Sequence, residues 1–307
     1  MTKDNFLPGA EYLKCAPSKS YTDGSCFTIE SLKKIAESYN KYIGKDSNKQ
    51  INISDNKADL VKQLTDRITT CKNNQLCWLD LPWVKQIKDN EIHKHTFRPT
   101  GPQQRFKWLS TTNINEIVKQ YEAKYKDFKF LGAVPYDFEE LPQLGIADLD
   151  FDELISRGIH KIGLVINLDE HYKSGSHWVA LYSNLLHNQV YFFDSYGYKP
   201  RKLIAEFAKK ISLWCYKRNV LNVQKGGIND DLDTESKFMR AKKNEYETEL
   251  DVVYNKTRHQ FKNSECGVYS VNFILRLLKG ETFEEICSNV TLDDQVNECR
   301  KVYFRFH

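Results

Sequence analysis

The segments 178–183 and 190–194, rich in β-branched and aromatic residues, flank the short connection Asn184-Leu-Leu-His-Asn188 and read as a β-hairpin. Apolar runs at 128–134, 161–168 and 252–254 supply further strands, and segments of helical period lie between and around them. Strands and helices mixed in this way predict an α+β domain with a small, mainly antiparallel sheet flanked by helices.

The first hundred residues are different. Ile29, Leu32, Ile35, Ala36 and Tyr39 recur at helical spacing, as do Leu60, Val61, Leu64 and Ile68 behind Ser54-Asp55-Asn56, and Pro82 opens a third short helix. The run Thr96-Phe-Arg-Pro-Thr-Gly-Pro102 interrupts the periodicity. It predicts a helical arm over 1–95 and a larger core over 96–307. A chain of 307 residues accommodates two such units, since single cores stop growing near roughly 250 residues.

Charge and hydropathy exclude several classes. Basic residues number 45 against 41 acidic, and a net +4 does not indicate nucleic acid as the main ligand. No run approaches the roughly 18 apolar residues of a membrane span, and no signal-peptide core is visible at the start. The eight cysteines lack the regular spacing of a disulfide scaffold or a zinc ribbon, so thiols in a reducing compartment are expected. A four-thiolate metal site from Cys15, Cys26, Cys71 and Cys77 has the wrong spacers, and His93-Lys-His95 with Glu91 lacks a third defined ligand. Neither metal nor cofactor is expected.

Nucleophile chemistry is the feature left. Cys266-Gly267 stands directly before Val268, Val271, Ile274, Leu275 and Leu278, a helical repeat that ends at Gly280. Unpaired N–H groups and the dipole at a helix N-terminus favour a thiolate there. His177 stands at the mouth of the first hairpin strand and Asp194 at the end of the second, so the hairpin brings base and carboxylate to one sheet end. Gln260, six residues before Cys266, is placed to donate to an oxyanion. Each has an ordinary alternative: a buried core cysteine, a loop histidine, a turn aspartate and a loop glutamine. His259 is a rival base, but in an extended segment its side chain points away from that of Gln260.

The motifs Gly-Ser-His-Trp-Val-Ala, Phe-Phe-Asp-Ser and Gln-Phe-Lys-Asn-Ser-Glu-Cys-Gly-Val-Tyr resemble the ubiquitin-like-protein-specific (SUMO-type) cysteine protease family, in the same order. The resemblance implies a papain-like, adenovirus-protease-like core. It implies His177 as base, Asp194 as its orienter, Gln260 as oxyanion donor and Cys266 as nucleophile. Trp178 would line a narrow tunnel that favours glycine next to the scissile bond; the ordinary reading of Trp178 is a sheet-packing aromatic. Upstream, Cys77-Trp-Leu-Asp-Leu-Pro-Trp-Val-Lys-Gln, Gly101-Pro102, Thr112-Asn-Ile-Asn-Glu-Ile and Tyr136-Asp-Phe-Glu look like the polyprotein-processing proteases of the African swine fever virus type.

That resemblance implies an endopeptidase maturing viral structural polyproteins after Gly-Gly or Gly-X-Gly in a large cytoplasmic DNA virus of the giant-virus kind. It would be located in the virion and the host cytoplasm, at the viral factory. Two other readings stand beside it: an isopeptidase acting on host ubiquitin-like conjugates, and a catalytically inactive binding module. The stretch 226–249 has no counterpart in the family and reads as an insertion, in which Gly226-Gly227 is a conceivable self-cleavage site or simply a turn.

Overall fold

The computed structural model describes residues 14–44, 48–224 and 252–305. The insertion 226–249 and its Gly226-Gly227 pair lie outside the described residues. The chain divides into two compact units, one of residues 1–101 with 301–307 and one of residues 102–300. The proline-glycine run predicts a break near 95. The structure puts it at Gly101, and residues from the C-terminal end join the first unit: Arg305 N donates to the Pro99 carbonyl at 3.0 Å and pairs with Thr100 in a parallel bridge. Gly101 permits this return, because a Cβ there would lie 2.8 Å from Cγ of Phe304.

In the first unit, α1 (Ile29–Ile43) and α2 (Lys57–Arg67) form because their apolar residues fall on one stripe and their caps are good. Thr28 accepts from Ser31 N, and Asn56 accepts from Asp59 N. Shorter helical turns follow at Gln75–Trp78, Pro82–Lys85 and Asn90–Lys94. Leu32, Ile35, Leu60, Leu64 and Trp78 meet in one buried cluster, with Phe27 stacked on Trp78 and edge-on to Phe97.

The expectation of free thiols is corrected in this unit. Cys15 pairs with Cys26 and Cys71 with Cys77, with Cα separations of 5.4 and 5.5 Å, so the four cysteines expected as thiols are two disulfides. Each bond closes a short local loop, and such loops need no regular cysteine spacing to bring Cα atoms within bridging range.

The second unit is built on a sheet of order β1-β2-β3-β4-β5: Phe128–Val134, Lys161–Asn167, Trp178–Asn184, Gln189–Phe193 and Val253–Tyr254. The central pairs are antiparallel, while β1 with β2 and β4 with β5 are parallel, so the sheet is mixed rather than mainly antiparallel. Parallel neighbours need long crossovers. α3 (Thr111–Glu122) leads into β1, α4 (Phe151–Ser156) lies between β1 and β2, and α5 (Lys202–Gln224) follows β4. The cap of α3 is Ser110, in a reciprocal box with Asn113.

Every residue of β3 is buried, because both faces of the sheet are covered. Val179, Leu181, Val190 and Phe192 face Ile204, Phe207 and Ile211 of α5. On the other side Phe193 stacks on Phe273 of α6 (Cys266–Leu278), and Tyr191 stacks on Phe283 of α7 (Phe283–Ser288). All of α6 is buried, which explains its apolar character all round. The arginine within it is matched: Arg276 Nε donates to Glu281 at 2.7 Å.

Candidate active site

The β3–β4 register sets the geometry. Ala180 pairs with Phe193, so His177, just before β3, and Asp194, just after β4, emerge at the same sheet edge. His177 Nε2 and Asp194 Oδ1 are 2.7 Å apart. The loop that delivers His177 is pinned: Asn167 Oδ1 accepts from Asp169 N and Ser176 N, and the His177 carbonyl accepts from Leu168 N.

Asp194 is held as firmly. Its carboxylate also accepts from Tyr196 N, and Asn255 grips its backbone at both ends, accepting from Asp194 N at 2.9 Å and donating to its carbonyl at 2.7 Å. With Nε2 committed to Asp194, Nδ1 of the same ring is left for a second partner, and the Cys266 side chain is close enough to act on the ring's charge. Burial opposes the charged imidazolium, but the hydrogen bonds and charges of Asp194 and Cys266 outweigh it and push His177 up to about 9.

Cys266 is the first residue of α6, where backbone N–H groups have no helical partners. Glu265 caps this helix without a side-chain cap bond. Its buried carboxylate instead pairs with Arg300, at 2.9 Å from Nε and 3.1 Å from Nη2, and accepts from Ser264 and Asn297. Arg300 also donates to the Lys107 carbonyl at 2.8 Å. Gly267 packs closely here: a Cβ there would lie 3.1 Å from Leu109 and 3.3 Å from the Trp178 ring, and both neighbours would have to give by a few tenths of an ångström. Trp178 is buried against this turn and donates from Nε1 to the Leu109 carbonyl at 3.0 Å.

Gln260 is fully buried, and its amide is oriented from two sides. Nε2 donates to the Lys262 carbonyl at 2.6 Å, which obliges Oε1 to be the atom that accepts from Ser195 Oγ at 2.7 Å. The Ser195 carbonyl accepts from His259 N and Gln260 N, and the Tyr269 hydroxyl of α6 lies 3.0 Å from the His259 carbonyl. His259 itself is turned into the core, edge-on to Phe193, with Nδ1 accepting from Thr291 N. Its burial holds its pKa below the usual histidine range.

His177, Asp194, Cys266 and Gln260 therefore share one end of the second unit. The supports that the sequence does not announce are Ser195, Asn255 and the Glu265–Arg300 pair. Such a constellation has the parts of a thiol acyl-transfer centre: a helix-borne thiol, an imidazole with its tautomer fixed by a carboxylate, and a prealigned amide donor. Among the described residues the first unit offers no comparable group, and no cluster there or elsewhere suits a metal ion. His93 Nε2 is 2.8 Å from the Ile87 carbonyl.

Fold and site together define a papain-like thiol hydrolase. Comparisons with known proteins agree. A family model described as adenovirus endoprotease matches residues 143–291. A chain of Acanthamoeba polyphaga mimivirus named as a thiol protease is 33% identical over 308 residues, covering 95% of this chain and 93% of the relative. A cysteine protease of African swine fever virus is 22% identical over 267 residues, 80% of this chain and 88% of the relative. The crystal structure of an African swine fever virus protease superposes with a TM-score of 0.58 at 18% identity, covering 96% of both chains. The chain belongs to this viral thiol protease family, of the SUMO-protease-like type, and is a cysteine peptidase.

Proposed function

We propose that the protein is an endopeptidase that cleaves viral structural polyproteins after Gly-Gly or Gly-X-Gly during virion maturation, with Cys266 as nucleophile. The observation that carries the assignment is the 2.7 Å contact of His177 with Asp194 beside Cys266, the first residue of α6, whose charge acts on the same ring. Cys266 yields its thiol proton to His177, its sulfur attacks the scissile carbonyl carbon, and the resulting oxyanion is held by a Gln260 N–H and the Cys266 backbone N–H. His177 gives its proton to the departing amine as the C–N bond breaks, which leaves a thioester on Cys266. Water, deprotonated by His177, then attacks the thioester and releases the acid and the thiol. Asp194 keeps the ring in one tautomer throughout.

The glycine preference is supported by the family and by Trp178, whose packing against Gly267 and Leu109 leaves little room beside the nucleophile. Action in the virion and the cytoplasmic viral factory follows from the same reading. The helical arm would engage the substrate or the particle. It has a polar cleft of about 520 Å³, lined by Lys14, Tyr21, Lys72 and Asn73 among others.

A second reading is isopeptidase action on ubiquitin-like conjugates, favoured by swine fever virus relatives that are named SUMO-1 cysteine proteases. Fluorogenic peptides ending in Gly-Gly or Gly-X-Gly test the assignment, run beside Cys266→Ala and a thiol alkylator. Cleavage abolished by both is expected, and cleavage surviving in Cys266→Ala would overturn it. Capsid-type Gly-Gly precursors and folded ubiquitin-like conjugates, offered in parallel, separate the two readings.

A further inference from the structure

Beside the triad lies a patch that the chemistry above leaves unused. The Tyr196 ring stacks on His177, with centroids 4.7 Å apart and planes 24° from parallel. The Arg258 guanidinium lies 5.1 Å from the centroid of Tyr196 and 5.0 Å from that of Phe261. Arg258 Nε donates to the Gln260 carbonyl at 2.6 Å. Phe261 is 59% exposed and Tyr198 68%, unusual for large aromatics so near a buried amide donor.

Arg258 has no ion-pair partner among the described residues. The carboxylates of this region bond other groups: Asp194 to His177, one oxygen of Asp293 to the N–H groups of Phe261 and Lys262, and Asp294 to the Lys262 ammonium. The guanidinium is thus held by two rings and a carbonyl on an exposed side chain. An arginine held this way loses little side-chain freedom on meeting a carboxylate, which it binds in bidentate fashion.

The chemistry fixes which part of a substrate this patch would meet. The leaving nitrogen takes its proton from His177, so the departing segment passes the His177 face, while the oxyanion turns toward Gln260. Tyr196 and Arg258 adjoin both groups. Trp178 packs instead at the first turn of α6, against Gly267 and Leu109, where the acyl part lies.

We propose that Arg258, framed by Tyr196 and Phe261, selects substrates with an acidic side chain in the first residues after the scissile bond. This rests on the peptidase reading of Cys266. The test uses the full chain and internally quenched peptides identical through Gly-Gly, with Glu, Ala or Lys at the first and second following positions. The expected kcat/KM preference for Glu over Lys is about three- to tenfold, the scale of a partly exposed bidentate pair. It should fall at high salt and reverse in Arg258→Glu, with Arg258→Gln indifferent. Equal Glu-to-Lys ratios in the native chain and Arg258→Glu, with cleavage intact, would overturn the proposal and leave the peptidase standing. If no peptide is cleaved, the peptidase reading fails. The specificity claim is then decided by fluorescence anisotropy with fluorescein-labelled product-side peptides: reversal of Glu over Lys binding in Arg258→Glu supports it, and equal binding refutes it.

Discussion

The two units bury different things. In the first, the buried polar side chains are the hydroxyls Ser25, Ser31 and Thr96, and its core is an aromatic and aliphatic cluster closed by two disulfides. Its carboxylate-lysine contacts, such as Lys33 with Asp55, lie at the surface. The second unit buries Asp194, Gln260, Glu265, Asp293 and Arg300, with Ser195 bonded to Gln260 and Arg300 and Asn297 to Glu265. Burying charge is costly unless it is paired, and mere folding does not require it. The first unit shows what this chain needs to fold; the second shows in addition what holding a thiol, an imidazole and an amide donor in register demands.

If that contrast is right, breaking one ion pair in each unit should have unequal effects. Arg300→Met leaves the Glu265 carboxylate buried without its cation and should destabilise the second unit by about 3–5 kcal/mol. Lys33→Ala, at an exposed pair, should not measurably change the denaturation midpoint. Urea titrations of both variants check this, and similar midpoints would erase the distinction.

Gln260→Ala removes the proposed oxyanion donor and should lower kcat by about 10²–10³. Ser195→Ala leaves the amide in place but unlocked from one side, and should lower kcat only several-fold, the scale of one neutral hydrogen bond. Equal losses in the two variants would mean that Ser195 does more than orient Gln260.

In the first unit the matching supports are covalent. By loop-closure entropy, disulfides spanning 11 and 6 residues stabilise by roughly 2–3 kcal/mol each. Reduction should therefore lower the melting of the first unit and leave peptide turnover by the second unchanged. Loss of turnover on mild reduction would contradict the separation.

The smallest effect is a shift in pH dependence. His177 is raised from its ordinary 6.5 to about 9, so its stabilising interaction is complete below about 6.5 and is lost as pH rises through 9. The alkaline limb of kcat/KM should fall near the same value. Asp194→Asn removes an upward push while burial still pulls down, so its limb should move to lower pH, and an unmoved limb would detach Asp194 from His177.

Much of this arrangement was legible because it is local. The periodicity of α1, α2 and α6 and the hairpin that carries His177 and Asp194 are written within a few tens of residues. The parallel edge strands were not, because nothing in 128–134 or 253–254 states which neighbour each will find. Nor were the supports of the site. Ser195 meets Gln260 across 65 positions, Asn255 meets Asp194 across 61, and Arg300 meets Glu265 across 35. Reaching such partners needs the tertiary fold, and a buried Glu-Arg pair looks in sequence like two surface charges. The return of Phe304 to Gly101 has no periodic signature either.

Cysteine identity tests the catalytic centre most directly. An electrophilic Gly-Gly vinyl ester probe, followed by peptide mapping, would compare Cys266 with Cys215, Cys287 and Cys299, the other cysteines outside the disulfides. A single adduct on Cys266, slowed in His177→Ala, is the expected result. Preferential labelling of another thiol, or equal labelling of Cys266 with and without His177, would contradict the assignment.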